Sequence, residues 1–357
     1  MNPQKFPAAW SPSSSLILSL LILLSGCATP ERVARLIVTA PNRQRPQPPA
    51  AWAEKWLSAF SGGTNRFEKL TIPVGPPEAR LEAIGLPPGD YHVGFASCVA
   101  AKANGKKEFQ LKAFLETNCP MDCVKELGTI VVLHGYSIQK ETMIPWAFLL
   151  AEAGFRVILV DLRGHGQSTG QIFSCGKYES ADLVQVLDYL TAEGLCRGPV
   201  GALGLSFGAE VALHWAARDE RVRTVVAIAP YNDPEAAFLR FARELRLPVS
   251  ANVLRQAFPL VAAKLDLNWA DWSGEAAMRR LKVPVLLIGG EKDPISTPQD
   301  IAALRDAAPA GTKTLLIPEA NHFVIGFWFQ ALAQPVKAWM AEELSVAPLL
   351  SMQEGAR

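Results

Sequence analysis

The chain has 357 residues, 49% of them hydrophobic and 19% charged, which is enough apolar material for a large core and too much for a disordered chain. Its 35 basic and 34 acidic side chains leave a formal charge of +1, with no long run of one sign, which excludes the basic footprint of a nucleic-acid partner. No G-x-x-x-x-G-K-[ST] loop, G-x-G-x-x-G or C-x-x-C pair occurs and the five histidines are scattered, so no nucleotide cradle, metal centre or cofactor is expected.

Lys5 precedes an apolar run over residues 16–24, too short to cross a bilayer but suited to the hydrophobic region of a secretory leader. The end of that run and the three residues after it, Leu24-Ser25-Gly26-Cys27, resemble the lipobox of bacterial lipoproteins. That resemblance implies removal of residues 1–26, lipidation of Cys27 and attachment to the bacterial cell envelope through acyl chains, two or more of which hold a protein stably on a membrane. Ala28 in the following position is similar to lipoproteins sent to the outer membrane of Gram-negative hosts. Residues 27–65 then read as anchor and tether, because residues 41–49 concentrate prolines and favour an extended spacer. An oxidising compartment also permits disulfides, for which Cys119 with Cys123, and Cys175 with Cys196, are the candidate pairs; Cys98 makes the remaining number odd.

Residues 66–127 form a β-rich N-terminal extension on this reading, since short apolar runs such as Phe67-Glu68-Lys69-Leu70-Thr71-Ile72 and Tyr91-His92-Val93-Gly94-Phe95 alternate with Pro-Gly and Asn-Gly turns. From residue 128 to 357 the pattern changes. Fully apolar strands at 129–133, 156–160, 200–205, 222–229, 283–288 and 314–317 alternate with helices at 142–153, 179–192, 207–218 and 299–307. Such alternation predicts an α/β fold, a mostly parallel sheet with helices on both faces. The interval 232–282 exceeds an ordinary crossover, and its amphipathic segments at 234–245 and 250–264 predict a small helical cap.

Gly204-Leu205-Ser206-Phe207-Gly208 is a G-x-S-x-G motif with an apolar strand before it and an Ala-rich helix after it, the context in which a strand-to-helix elbow exposes a serine hydroxyl. A hydroxyl needs a base, and the base needs an orienting carboxylate. Asp293 in Gly289-Gly290-Glu291-Lys292-Asp293-Pro294 and His322 in Glu319-Ala320-Asn321-His322-Phe323 each follow an apolar strand. With the order Ser206, Asp293, His322, the region from 128 to the C-terminus resembles the α/β-hydrolase superfamily, in particular its small-cap lipase, esterase and serine-aminopeptidase-like branch. The resemblance implies an acyl-enzyme mechanism on an ester or acyl substrate, without a cofactor, and the lipobox resemblance would place it at a membrane surface. The hydrolase resemblance also places the oxyanion hole at the backbone N–H groups of Tyr136, in His134-Gly135-Tyr136-Ser137, and of Phe207. Arg163 and His165 read as loop braces, Glu291 as a solvated competitor of Asp293, and His92, His134 and His214 as structural. Phe238, Phe241, Phe258, Trp269 and Trp272 are candidates for an acyl pocket or for the seam between cap and body. The same triad would serve an amide or peptide, and a non-catalytic lipoprotein using the fold as a binding platform is the alternative of another class. The sequence specifies no oligomeric state.

Overall fold

Apolar runs of five to seven residues without polar alternation become strands covered on both faces. The computed structural model describes residues 28–44, 67–89, 91 and 126–345, with backbone alone for strands at 4–5, 93–101 and 107–115. The strands are β1 (Gln4–Lys5), β2 (Glu68–Val74), β3 (Ala79–Leu86), β4 (Val93–Ala101), β5 (Lys107–Leu115), β6 (Gly128–Leu133), β7 (Phe155–Val160), β8 (Val200–Leu205), β9 (Val222–Ile228), β10 (Val285–Gly290) and β11 (Lys313–Ile317). Eight of them form one sheet in the order β11-β10-β9-β8-β6-β7-β3-β2. β6 to β11 run parallel, while the β2–β3 hairpin adds an antiparallel edge through β3 against β7. Thus the first part of the 66–127 interval extends the main sheet, and β4, β5 and β1 form a second, antiparallel one.

The helices are α1 (Pro30–Ile37), α2 (Pro41–Gln44), α3 (Ile144–Glu152), α4 (Lys177–Ala192), α5 (Phe207–Ala216), α6 (Pro234–Glu244), α7 (Ala251–Leu265), α8 (Gly274–Arg280), α9 (Pro298–Asp306) and α10 (Phe329–Ser345). Alternate residues of each strand feed two cores. Ile130, Val132, Leu203 and Leu205 meet α3 and α10 on one face; Val131, Leu133, Ala202 and Leu287 meet α4, α5, α8 and α9 on the other. Side-chain caps set several starts: Asp233, Ser250 and Ser273 accept from the first-turn amides of α6, α7 and α8, and Thr297 with Asp300 makes a capping box on α9.

Between β9 and β10 the chain rises into α6 and α7 and returns through α8, which packs in the second core by Ala277 and Met278. α1 lies on α7 in a third, smaller core of Val33, Ala34, Ile37, Leu254, Ala257, Phe258, Val261 and Leu265. Here the structure differs from an extended tether. Pro41 is buried at the start of α2, and the Asn42 side chain donates to the carbonyls of Gly166 and Ser168 at 3.3 and 2.8 Å. Thr39 bridges to Ile172, and Phe173 N–H donates to Val38 O at 2.9 Å. Local proline content favours extension, but these tertiary contacts give the segment partners for its backbone. The expected leader at 1–26 (apart from the backbone of β1), Cys27 and residues 45–65 lie outside the described residues.

The suggested Cys175–Cys196 disulfide is corrected: both are free thiols. They flank α4, whose 16 residues separate its ends by about 24 Å at 1.5 Å per residue, far beyond disulfide reach. Cys119 and Cys123, like the side chains of Cys98 and His92, lie outside the described residues.

Candidate active site

The chain passes from β6 to β7 on one side and from β8 to β11 on the other, so the sheet order reverses beside β6. The loops at the C-terminal ends of β6 and β8 therefore diverge and open a crevice, the usual ligand position in such sheets. Register pairs Leu133 with Gly204, which sets the loop starting at His134 beside the turn at Ser206.

Ser206 occupies that turn with φ 54° and ψ −117°, a conformation unfavourable for a side-chain-bearing residue. Its N–H is held by Ile228 O at 2.7 Å. The glycines on either side answer a demand for space: a Cβ on Gly204 would lie 2.2 Å from Gly208 O, and one on Gly208 would lie 2.5 Å from His134 O. Strand and helix can approach this closely only without those carbons, and Ser206 is left half-buried at the N-terminus of α5.

Asp293 follows β10 and His322 follows β11, bringing both to the same edge. Ser206 Oγ lies 2.8 Å from His322 Nε2, and His322 Nδ1 lies 2.8 Å from Asp293 Oδ2. The Asp293 carboxylate is fully enclosed and the His322 ring nearly so. Asp293 Oδ1 accepts the N–H groups of Ile295 and Ser296, each at 2.8 Å, which fixes the carboxylate plane. An ionised carboxylate can only accept, so Nδ1 carries the hydrogen and Nε2 is left as acceptor for the serine hydroxyl. Hydroxyl, imidazole and carboxylate form one relay able to draw a proton from Ser206.

Among the described residues, the N–H groups of Tyr136 and Phe207 donate to no backbone carbonyl of the loops and turns. Both adjoin Ser206, one from the β6 loop and one from the first turn of α5, where the helix dipole adds partial positive charge. His134 sets the first of them. Its Nε2 accepts from Leu162 N–H at 3.0 Å, so Nδ1 carries the hydrogen and donates to Gly135 O at 2.8 Å. In a planar trans peptide, holding the Gly135 carbonyl turns the Tyr136 N–H to the opposite side. Burial pushes the His134 pKa down to about 4, keeping the ring neutral and the acceptor available. Asp161 braces the same loop by accepting from Lys140 N–H and Lys140 Nζ, both at 2.7 Å. Those residues are 21 apart in sequence, and no local pattern announces the pair.

The remaining sequence candidates separate. Arg163 is buried and binds Asp182 through two bonds of 2.8 and 2.6 Å; His165 Nδ1 lies 2.9 Å from Arg163 O. Glu291 is exposed. His214 is buried in α5 beside Arg280 and packs tilted against the Trp272 ring. Phe238 and Phe241 of α6 face the Tyr136 ring at 6.2 Å, whereas Phe258 and Trp269 pack on each other. Sequence reading misses Gln44 and Arg240: Gln44 lies beside the Tyr136 hydroxyl, and Arg240 binds the loop that carries Asp293. Neither stands in a motif.

Residues 128–257 match the family described as alpha/beta hydrolase fold. The uncharacterized protein YqkD of Bacillus subtilis is 28% identical over 207 residues, covering 56% of this chain and 66% of that protein. The thiohydrolase aneE of Aspergillus aculeatus is 32% identical over 144 residues, 38% of this chain and 42% of its own length. The chain thus spans less than two thirds of either relative. Among solved structures, the Pyrococcus furiosus esterase Pf2001 matches with a TM-score of 0.57 at 18% identity, over 84% of this chain and 98% of the esterase. A 2,6-dihydroxy-pseudo-oxynicotine hydrolase matches with a TM-score of 0.53 at 16% identity, over 82% of this chain and 71% of that one. The likeness to these structures is one of fold, and the fold of this chain is that of the α/β-hydrolases.

Proposed function

We propose that this α/β-hydrolase-fold chain is a serine hydrolase that cleaves carboxylic esters through an acyl-enzyme, acting at a membrane surface. The observation that carries the proposal is the continuous relay from Ser206 Oγ through His322 to Asp293, with both links at 2.8 Å. Ser206 attacks the ester carbonyl while His322 Nε2 takes its proton, and the oxyanion forms between the Tyr136 and Phe207 amides. His322 then returns the proton to the leaving alkoxide, and the alcohol departs. Water, deprotonated by the same nitrogen, attacks the acyl carbonyl, and His322 returns that proton to Ser206 Oγ as the acyl–oxygen bond breaks and the acid leaves. Asp293 holds the imidazole tautomer and balances its charge when protonated. Names among the relatives, an esterase and a thiohydrolase, support an acyl group as the transferred unit.

Ser206→Ala is expected to lower hydrolysis of short p-nitrophenyl esters by about 10⁶-fold and to abolish labelling by a fluorophosphonate, with unfolding temperature unchanged. Full activity in that variant would reject the assignment.

The membrane part of the proposal rests on Leu24-Ser25-Gly26-Cys27. α1 begins at Pro30 and packs on α7, so an acyl anchor on Cys27 would set the α1–α7 layer against the lipid. Cells fed an alkyne-tagged palmitate should label the wild-type chain but not Cys27→Ser. Equal labelling of both would exclude Cys27 as the acylated residue.

A further inference from the structure

Between Phe238 and Phe241, which face the oxyanion loop at Tyr136, α6 carries Arg240, which reaches the opposite wall of the site. Its Nε donates to Ile295 O at 2.8 Å and its Nη2 to Asp300 Oδ2 at 2.7 Å. Ile295 lies two residues beyond Asp293, and its N–H is one of the two donors to Asp293 Oδ1. One residue is therefore gripped on both sides, its amide by the carboxylate and its carbonyl by the guanidinium. The neighbouring Ser296 repeats the connection: its N–H donates to Asp293 Oδ1 and its hydroxyl donates to Pro230 O, at the chain's exit from β9 toward α6. Asn232 N–H, on the same approach, donates to Asp300 Oδ1 at 3.3 Å. Both ends of the 230–240 segment are thus tied to the 293–300 loop.

Resting on the serine-hydrolase reading for its catalytic meaning, we infer that Arg240 is a positioning residue that locks the Asp293 loop to α6, so that the aromatic wall over Tyr136 and the carboxylate behind His322 move as one unit. Arg240 touches neither Ser206 nor His322; it acts through the Ile295 peptide. A guanidinium suits the task because its rigid fork spans a carbonyl and a carboxylate together. Loss of the fork does not strand Asp300, which keeps donors from Thr297 N–H and Thr297 Oγ1 at 2.8 and 2.7 Å. The Arg240→Ala chain is therefore expected to fold.

The test compares the full chain with Arg240→Ala and Arg240→Lys by two readouts. In ¹⁵N-histidine-labelled protein, solvent exchange of the His322 Nδ1 proton, assigned by its loss in His322→Gln, reports the bond to Asp293 independently of turnover. Arg240→Ala should speed that exchange by about 10-fold or more, as expected when an orienting outer partner is lost. For p-nitrophenyl acetate it should lower kcat by about 10- to 100-fold with KM within about 2-fold, the mark of lost geometry rather than lost binding. Arg240→Lys, with one donor left for Ile295 O, should recover most of both. Unchanged exchange in Arg240→Ala overturns the inference, as does a KM effect that Lys does not repair. If the wild type cleaves no ester while exchange still responds to Arg240, the hydrolase reading fails and the positioning role stands.

Discussion

The sheet body and the α1–α7 layer above it are built on different terms. In the body, every residue of β6, β7, β8 and β10 is buried, and each loop end is fixed by ladders on both sides. The layer has a small core from α1 and α7, more than two hundred residues apart, to which α6 adds Ala242. Ser206, Asp293 and His322 all stand on body loops, while Phe238 and Phe241 reach the site from α6. On the proposed function the chemistry belongs to the sheet body, and the aromatic wall of the substrate space stands on α6, which Arg240 ties to the Asp293 loop. The body holds the relay with both links at 2.8 Å, whereas the α1–α7 layer rests on a smaller core, the kind of region that exchanges first.

The sharpest way to break this division is Asp293→Asn. The amide oxygen still accepts from Ile295 and Ser296, but its NH₂ then faces His322 Nδ1, where a donor already sits. The imidazole must take the other tautomer, and ester turnover should fall by about 10⁴-fold with the unfolding midpoint nearly unchanged. A loss under about 10-fold in steady-state assays would mean that the body loops do not set the chemistry.

A smaller effect separates the two cores. Phe258 is buried where α7 meets α1, and Phe258→Ala should cost about 3–5 kcal/mol of local packing. That cost should appear as faster hydrogen exchange and proteolysis in α1 and α7, with little change in the main unfolding transition. Phe148→Ala, a cavity in the α3 face of the body core, should instead lower the main transition. If both substitutions shift it equally, the layer and the body unfold as one.

The same contrast explains what could be read in the chain. Parallel strands advertise themselves because two covered faces require unbroken apolar runs, so 200–205 was placed without error and the residues after β8, β10 and β11 were natural candidates. Their convergence follows from strand order. α1 was not legible: its eight residues bury a stripe only because α7 arrives from the far side of the sequence, and a short amphipathic run predicts no partner. Residues 41–44 differ from an extended spacer for the same reason, since propensity at Pro41 yields to bonds made by Asn42 with residues 164–168; residues 45–49 lie outside the described ones. Arg240 is invisible in sequence because an arginine on an amphipathic helix ordinarily faces solvent.

His214 probes the seam where the inserted segment rejoins the body. It lies on α5 under α8, its Nδ1 accepting from Arg280 at 3.2 Å and its ring tilted against Trp272 at 4.4 Å between centroids. Burial, with Arg280 and Arg218 nearby, pushes its pKa down to about 3. Unfolded, the ring titrates near an ordinary histidine's pKa of about 6.5, so on acidification the unfolded chain takes the proton first. Its stabilising contribution is complete above about pH 6.5 and is lost as pH falls toward 3. Gln in its place can still accept from Arg280 but has no proton to bind. Between about pH 6 and pH 4, urea unfolding of the wild type should therefore lose about 1.4 kcal/mol per pH unit more than His214→Gln. Equal slopes would mean that His214 is already charged in the folded chain, and that α8 does not seal the seam against water.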